Sequence, residues 1–302
     1  FHPAGSLTGA APTDLVDLTP EKAGWAFSGL RVVRLEPGVP QRFSTGGDEL
    51  FVLPMTGGSL TVEAAGERFE VTGRATPFAR VTDFVYVGRD TDVVLASAEG
   101  AEVALPASRC ERRLAPKYGA AEDVPVEIRG TGPATRQVNA FGVPGHWEHA
   151  DKLIAVELIT PDGNWSSYPP HKHDVTAPCP VVNEEIYYYR IAGADQVTPS
   201  RVGFGLHPTY TGPEHDAAGL APLAELVEVR DGDVVNVPYG YYGPCVAAPG
   251  YPMYYLNVMS GPGERAVLFC DDPAHAWVRG SWEAIAPDPR CPVTDHTGRL
   301  AR

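Results

Sequence analysis

Along the first third of the chain, apolar and polar positions follow a period close to two. Arg31-Val-Val-Arg-Leu, Ser59-Leu-Thr-Val-Glu-Ala and Arg68-Phe-Glu-Val alternate, while Glu49-Leu-Phe-Val-Leu-Pro, Asp83-Phe-Val-Tyr-Val and Asp92-Val-Val-Leu-Ala-Ser are apolar runs. In an extended chain, alternate side chains share a face, so these segments read as strands. Turn residues recur about every eight to twelve positions, the spacing of an all-β sandwich or barrel. No helical period competes. The same logic returns in the second half. Asp48-Glu49-Leu-Phe-Val-Leu lines up with Glu184-Glu185-Ile-Tyr-Tyr-Tyr, and Asp83-Phe-Val-Tyr-Val with Asp233-Val-Val-Asn-Val. Two copies of one β unit are the economical inference.

The copies divide the chain. Residues 1–23, Pro/Gly-rich and opening His2-Pro-Ala-Gly, read as an arm that packs on something else, a partner subunit included, with His2 a surface histidine. Residues 24–115 form the first β unit, read as structural, with Glu49 a remnant of any site. The charged, Pro-bearing stretch 116–135 reads as a linker. Residues 136–282 form the second unit, closed by Met253-Tyr-Tyr-Leu-Asn-Val-Met. Residues 283–302, with Pro287, Pro289 and Pro292, read as a surface strap.

Composition narrows the field. The chain has 302 residues, 43% of them hydrophobic, with 32 Gly and 30 Pro spread along it rather than clustered; this suits many short strands joined by turns. The formal net charge is -14, which argues against nucleic acid and anionic membranes, since both call for basic patches. No window approaches the ~18 apolar residues of a membrane span. Five cysteines without a Cys-x-x-Cys spacing resemble neither a disulfide framework nor a cysteine zinc site. Reduced thiols and a cytoplasmic location are the expectation. Edge strands and the arm point to a homo-oligomer.

The chemistry concentrates between Ser166 and Arg190. In Tyr168-Pro-Pro-His-Lys-His-Asp, His171 and His173 point one way and Lys172 and Asp174 the other. The two prolines keep the approach extended. On the following strand Glu185, Tyr187 and Tyr189 share a face opposite Ile186, Tyr188 and Arg190. If the strands pair, His171, His173 and Glu185 converge as two imidazoles and a carboxylate, the donor set of a divalent metal. Lys172 and Arg190 then read as solvated charges, and Glu184 as solvated or paired with Arg190. One of Tyr187 and Tyr189 fills the barrel, leaving the other to offer its hydroxyl to a ligand.

The stretches Gly163-Asn-Trp-Ser-Ser-Tyr-Pro-Pro-His-Lys-His-Asp, Glu184-Glu-Ile-Tyr-Tyr-Tyr-Arg, Arg136-Gln-Val, Ala247-Ala-Pro-Gly-Tyr, Tyr254-Tyr-Leu-Asn-Val-Met and Asp271-Asp-Pro-Ala-His-Ala-Trp-Val carry a family likeness. With them the whole chain resembles the 5-deoxy-glucuronate isomerases of inositol catabolism, relatives of the 4-deoxy-threo-hexosulose-uronate ketol-isomerases. The resemblance implies a bicupin, that is, two tandem cupin (jelly-roll) barrels. It also implies aldose–ketose interconversion of an open-chain sugar acid at a divalent metal held by three histidines and a glutamate. His171, His173 and Glu185 match three of those ligand positions. At the fourth, in Tyr239-Gly-Tyr-Tyr-Gly-Pro, stands Tyr242.

A neutral phenol is a poor ligand, because its pKa near 10 must first be lowered. The substitution implies a roomier three-ligand site, a phenolate ligand for a harder metal, or no metal, in that order. Zinc is expected first, with manganese, iron or nickel as alternatives. Pro208, Pro252 and Asn139-Ala140 also depart from the family pattern, Pro208 where an arginine to meet the substrate carboxylate is expected. Tyr242, the candidate proton carrier, stands with Tyr187 and Arg136 as the candidate catalytic residues, and His207 is a possible substitute ligand. Beside the isomerase stand two alternatives: a repurposed cupin enzyme (isomerase, cyclase or lyase) on an altered substrate, and a non-catalytic small-molecule-binding cupin.

Overall fold

The computed structural model describes residues 1–300. The protein is all-β, as the alternation predicts, and every strand pairing is antiparallel. In the first half, a six-stranded sheet runs in the order Asp14–Leu18, Ser28–Leu35, Ala101–Arg109, Asp48–Gly57, Phe84–Val87, Lys117–Gly119 and faces a four-stranded sheet. In the second half, the order is Val126–Arg129, Arg136–Gly142, Ile154–Thr160, Met253–Ser260, Glu184–Ile191, Val234–Val237, opposite a seven-stranded sheet that carries His171–Lys172 and Tyr241–Tyr242.

The apolar runs have a common cause. The two six-stranded sheets pack back to back, so their strands are covered on both faces and cannot simply alternate. Val33, Leu50, Val52 and Val85 fill the first barrel, while Val32, Phe51, Leu53 and Tyr86 turn outward. There they meet Phe141, Ile186, Tyr188, Tyr254 and Leu256 of the second half. Phe51 and Phe141 touch edge to face with ring centroids 5.3 Å apart, a favoured aromatic geometry.

Pairing fixes the register of the repeat and corrects it by one residue. Leu50 sits opposite Val87, and Glu185 opposite Val237, each at the end of the equivalent strand. Leu50 is therefore the counterpart of Glu185, and Glu49 that of Glu184. A slip of one residue exchanges the faces of a strand. Glu49 is thus no remnant of a ligand. It is fully buried and accepts the Tyr86 hydroxyl at 2.6 Å and the N–H groups of Asp151, Lys152 and Leu153 at 2.8, 2.5 and 2.7 Å. Glu184 returns the same contact, accepting the N–H groups of Ala26, Phe27 and Ser28 at 2.8, 3.0 and 2.6 Å. Each half clamps the other with one carboxylate. The position in the first barrel equivalent to Glu185 holds Leu50, which has no lone pair to offer.

Arg190 and Glu184 both depart from their sequence reading. Arg190 lies on the sheet face that packs against the first half, so it is buried and ion-paired with Glu102 and Asp231. The stretch 116–135 supplies Lys117–Gly119 to the first sheet and Val126–Arg129 to the second. The arm packs on its own chain: His2 exchanges backbone hydrogen bonds with Val234, and its ring meets Asn236 at 2.9 Å. In the tail, the Gln137 side-chain oxygen accepts the N–H groups of Val293 and Thr294, and Val81 N–H bonds Asp295. Among the described residues no helix is long and apolar enough to cross a membrane.

Candidate active site in the second barrel

A cavity of about 320 Å³ opens inside the second barrel. Its floor follows from strand parity and register: Tyr187 lies opposite Asn257, Asn257 opposite Val156, and Glu185 opposite Met259. Arg136 and Val138 extend the same face. From the opposite sheet come His171 and Tyr242, lying directly across from each other, with His173 one residue past the end of the His171–Lys172 strand. The structure thus brings His171, His173, Glu185, Tyr187, Tyr242 and Arg136 to one cavity.

Each imidazole is held through its Nδ1, His171 by the Pro169 carbonyl and His173 by the Asn183 carbonyl, both at 2.9 Å. This fixes the ring and leaves Nε2 as the working nitrogen, which is how metal-binding imidazoles are oriented. His173 Nε2 meets Glu185 Oε2 at 2.8 Å. Burial works against charge on both, but the pairing outweighs it, raising His173 and lowering Glu185. His171 has no such partner, and burial pushes it down to about 4. Among the described residues no three His, Cys, Asp or Glu side chains form a metal cage as they stand. The donor set nevertheless fits a divalent ion in kind and in the orientation of both imidazoles.

Tyr242 is walled in by these groups. Its ring lies edge-on to His171 at 4.6 Å and to His173 at 5.5 Å, and its hydroxyl interacts with Glu185. Burial, and then the carboxylate, hold the phenol well above its ordinary pKa of 10, in the neutral form. The next residue, Gly243, has φ +84°, and a Cβ there would lie 2.0 Å from the Ser167 carbonyl oxygen. Gly243→Ala should cost about 1–3 kcal/mol in a denaturant melt and displace Tyr242. An unchanged melt would show that this turn yields freely.

Tyr187 lines the cavity, its hydroxyl 3.3 Å from Ser167 Oγ. Tyr189 fills the barrel behind it and bonds His207 Nδ1 at 2.7 Å. His207 packs 4.7 Å from the Tyr187 ring, outside the cavity lining. It is therefore not a substitute ligand.

A family description, the KduI/IolB family, matches residues 3–278. The 5-deoxy-glucuronate isomerase of Geobacillus kaustophilus is 36% identical over 271 residues, 89% of this chain and 91% of that protein. The chain belongs to the KduI/IolB family. With it the chain falls among the isomerases, and the Bacillus subtilis protein of the same name is 37% identical over 76% of this chain and 79% of its own. A crystal structure of an IolB-like protein from Salmonella typhimurium superposes with a TM-score of 0.78 at 29% identity, covering 92% of this chain and 98% of that one. The Lactobacillus farciminis oxalate decarboxylase, at 11% identity and a TM-score of 0.57 over 83% of this chain and 82% of that one, shares the fold.

Of the positions read above as departures, only Tyr242 lines the cavity among the described residues. Pro208 lies on the strand Gly205–Tyr210, and Pro252 borders a separate surface hollow. Asn139 is on the other face of its strand, donating to Glu157 at 3.2 Å. Four changes around one pocket reduce to one. Lys172 also differs from its reading. It does point away from the histidines, but the helix Pro213–Ala217 and Tyr241 cover that side, leaving it fully buried. Its ammonium bonds Asp174 and Thr176, while Asp174 also binds His215 and Gly240 N–H, both at 2.8 Å. This network pins the loop beside His173. Sequence reasoning missed Asn257, although its alternation with Tyr255 and Met259 marks it as inward-facing. It also missed Phe269, whose ring covers His171 at 4.9 Å from a segment without regular pattern.

Proposed function

We propose that this protein catalyses the aldose–ketose interconversion of an open-chain sugar acid, with 5-deoxy-glucuronate the first candidate, at a divalent metal held by His171, His173 and Glu185. The observation that carries the reading is the placement of both imidazoles and the carboxylate on one barrel cavity, in a chain of the KduI/IolB family. When bound, the ion supplies Lewis-acid polarisation of the carbonyl and its neighbouring hydroxyl. Pro169 and Asn183 hold the imidazoles, and the apolar side chains of Val156, Leu158 and Met259 limit water around the reacting carbons. Isomerisation also requires a proton to pass between adjacent oxygens. Tyr242, neutral at rest, gives its proton to the carbonyl oxygen and as phenolate takes the hydrogen of the hydroxyl-bearing carbon; it then returns that hydrogen to the former carbonyl carbon as it takes the proton of the neighbouring hydroxyl, which completes the ketose and restores the phenol.

Elemental analysis of the purified protein and its His171→Ala variant tests the metal site. The expected result is about one equivalent of zinc, manganese, iron or nickel, lost in the variant. Metal-free protein that takes up none on soaking refutes it. The presence of Tyr242 in the cavity favours a second reading, a repurposed enzyme acting on an altered substrate. Its mark would be a wild-type chain inactive on 5-deoxy-glucuronate whose Tyr242→His variant gains that activity.

A further inference from the structure

Among the described residues three arginines line the cavity, and only two have a carboxylate of their own. Arg129 pairs with Glu127 at 2.7 Å, and Arg279 grips Asp271 through two hydrogen bonds. Arg136 has none. It is 8% exposed, and its single protein hydrogen bond runs from Nη1 to the Ala134 carbonyl at 3.2 Å. Its Nε is buried without any acceptor, and no hydrogen bond is made by Nη2 among the described residues. Nε and Nη2 form the edge of the guanidinium that takes a carboxylate side-on, in two parallel bonds. Burial without a counter-ion, with Arg129 and Arg279 nearby, pulls the group down to about 10.

A second group in the same cavity lacks a partner of the same kind. Asn257 Nδ2 is buried with no acceptor, on the strand two places from Arg136 in the sheet. A buried guanidinium without a carboxylate and a buried amide without an acceptor are each costly. Both deficits are of acceptors, and one is of negative charge. The local backbone is shaped around the arginine: Gly130 has φ +73°, and a Cβ there would come within 2.7 Å of Arg136 Nη1. Glu185, the one carboxylate lining the cavity among the described residues, is already engaged with His173.

We propose that Arg136 is the anchor for the substrate's carboxylate, taken side-on through Nε and Nη2, with the Asn257 amide donating to an oxygen of the same ligand. The anchor deepens the sugar-acid reading above and rests on it for the identity of the ligand. Sugars with a carboxylate are selected over neutral sugars because only they supply the missing charge.

Calorimetric binding of D-glucuronate, D-glucose and inorganic phosphate to the wild type, Arg136→Met and Arg136→Lys tests this without turnover. D-Glucuronate should bind the wild type, D-glucose should bind far more weakly, and Arg136→Met should lose about 10–100-fold in D-glucuronate affinity. Arg136→Lys, which keeps the charge but not the fork, should fall between and serves if the methionine variant does not fold. Equal binding of D-glucuronate and D-glucose, or native-like melting with unchanged affinity in either variant, overturns the proposal. Phosphate binding as tight as D-glucuronate, and equally dependent on Arg136, overturns the commitment to a carboxylate. Arg136-dependent D-glucuronate binding by a protein that isomerises no sugar acid keeps the anchor and removes the isomerase reading. Isomerisation with an unchanged KM in Arg136→Met does the reverse.

Discussion

Tyr242→Phe should lower turnover of the sugar acid by about 10²–10⁴-fold, the range for losing one positioned proton-transfer group, with metal content unchanged. The ring is buried among His171, His173 and Tyr187, so removing the hydroxyl leaves the packing in place. Glu185 loses one interaction and keeps its bond to His173. Steady-state kinetics beside elemental analysis read both quantities in one preparation. The loss should fall on kcat rather than KM, because a group that moves a proton acts mainly in the transition state. An unaffected rate refutes the role. A rate that falls together with metal content would instead make Tyr242 a ligand.

Arg74→Met should destabilise the protein by about 3–5 kcal/mol, the penalty for leaving a buried charge without its partner. Arg74 comes from the first half and Glu157 from the second, with side chains 0% and 1% exposed. Glu157 also accepts the Tyr254 hydroxyl at 2.8 Å and the Asn139 amide at 3.2 Å. Without Arg74 its carboxylate remains buried between the halves. The double variant Arg74→Met/Glu157→Met should recover much of the loss, since two apolar side chains need no compensating charge. Equilibrium denaturation of the wild type and both variants measures this. A single variant as stable as the wild type would show that the pair is not what holds the two halves in register.

The sequence alone was enough for the all-β class, the two copies and the shared faces of His171 with His173 and of Glu185 with Tyr187, while Tyr242 and Arg136 entered through the family likeness. Period-two alternation needs only neighbouring residues, and the His171–His173 spacing and the parity of Glu185 and Tyr187 are properties of a single extended strand. What lies on the other face of a strand is not such a property. The back-to-back sheets buried Arg190 against Glu102 and turned Glu184 into a clamp, and the helix Pro213–Ala217 covered Lys172. Local pattern reads Lys172 and Arg190 as solvated and Glu184 as solvated or paired with Arg190, because the covering residues lie far along the chain.

Register was the other decision left to three dimensions. The apolar runs fit equally well one residue apart, and only the pairs Leu50 with Val87 and Glu185 with Val237 fixed the counterparts of the two halves. That single step places Leu50, and not Glu49, at the position where the second barrel carries Glu185. The unpartnered edge of Arg136 and the amide of Asn257 were likewise visible only in the tertiary structure, since the absence of a partner is a statement about every residue that could have supplied one.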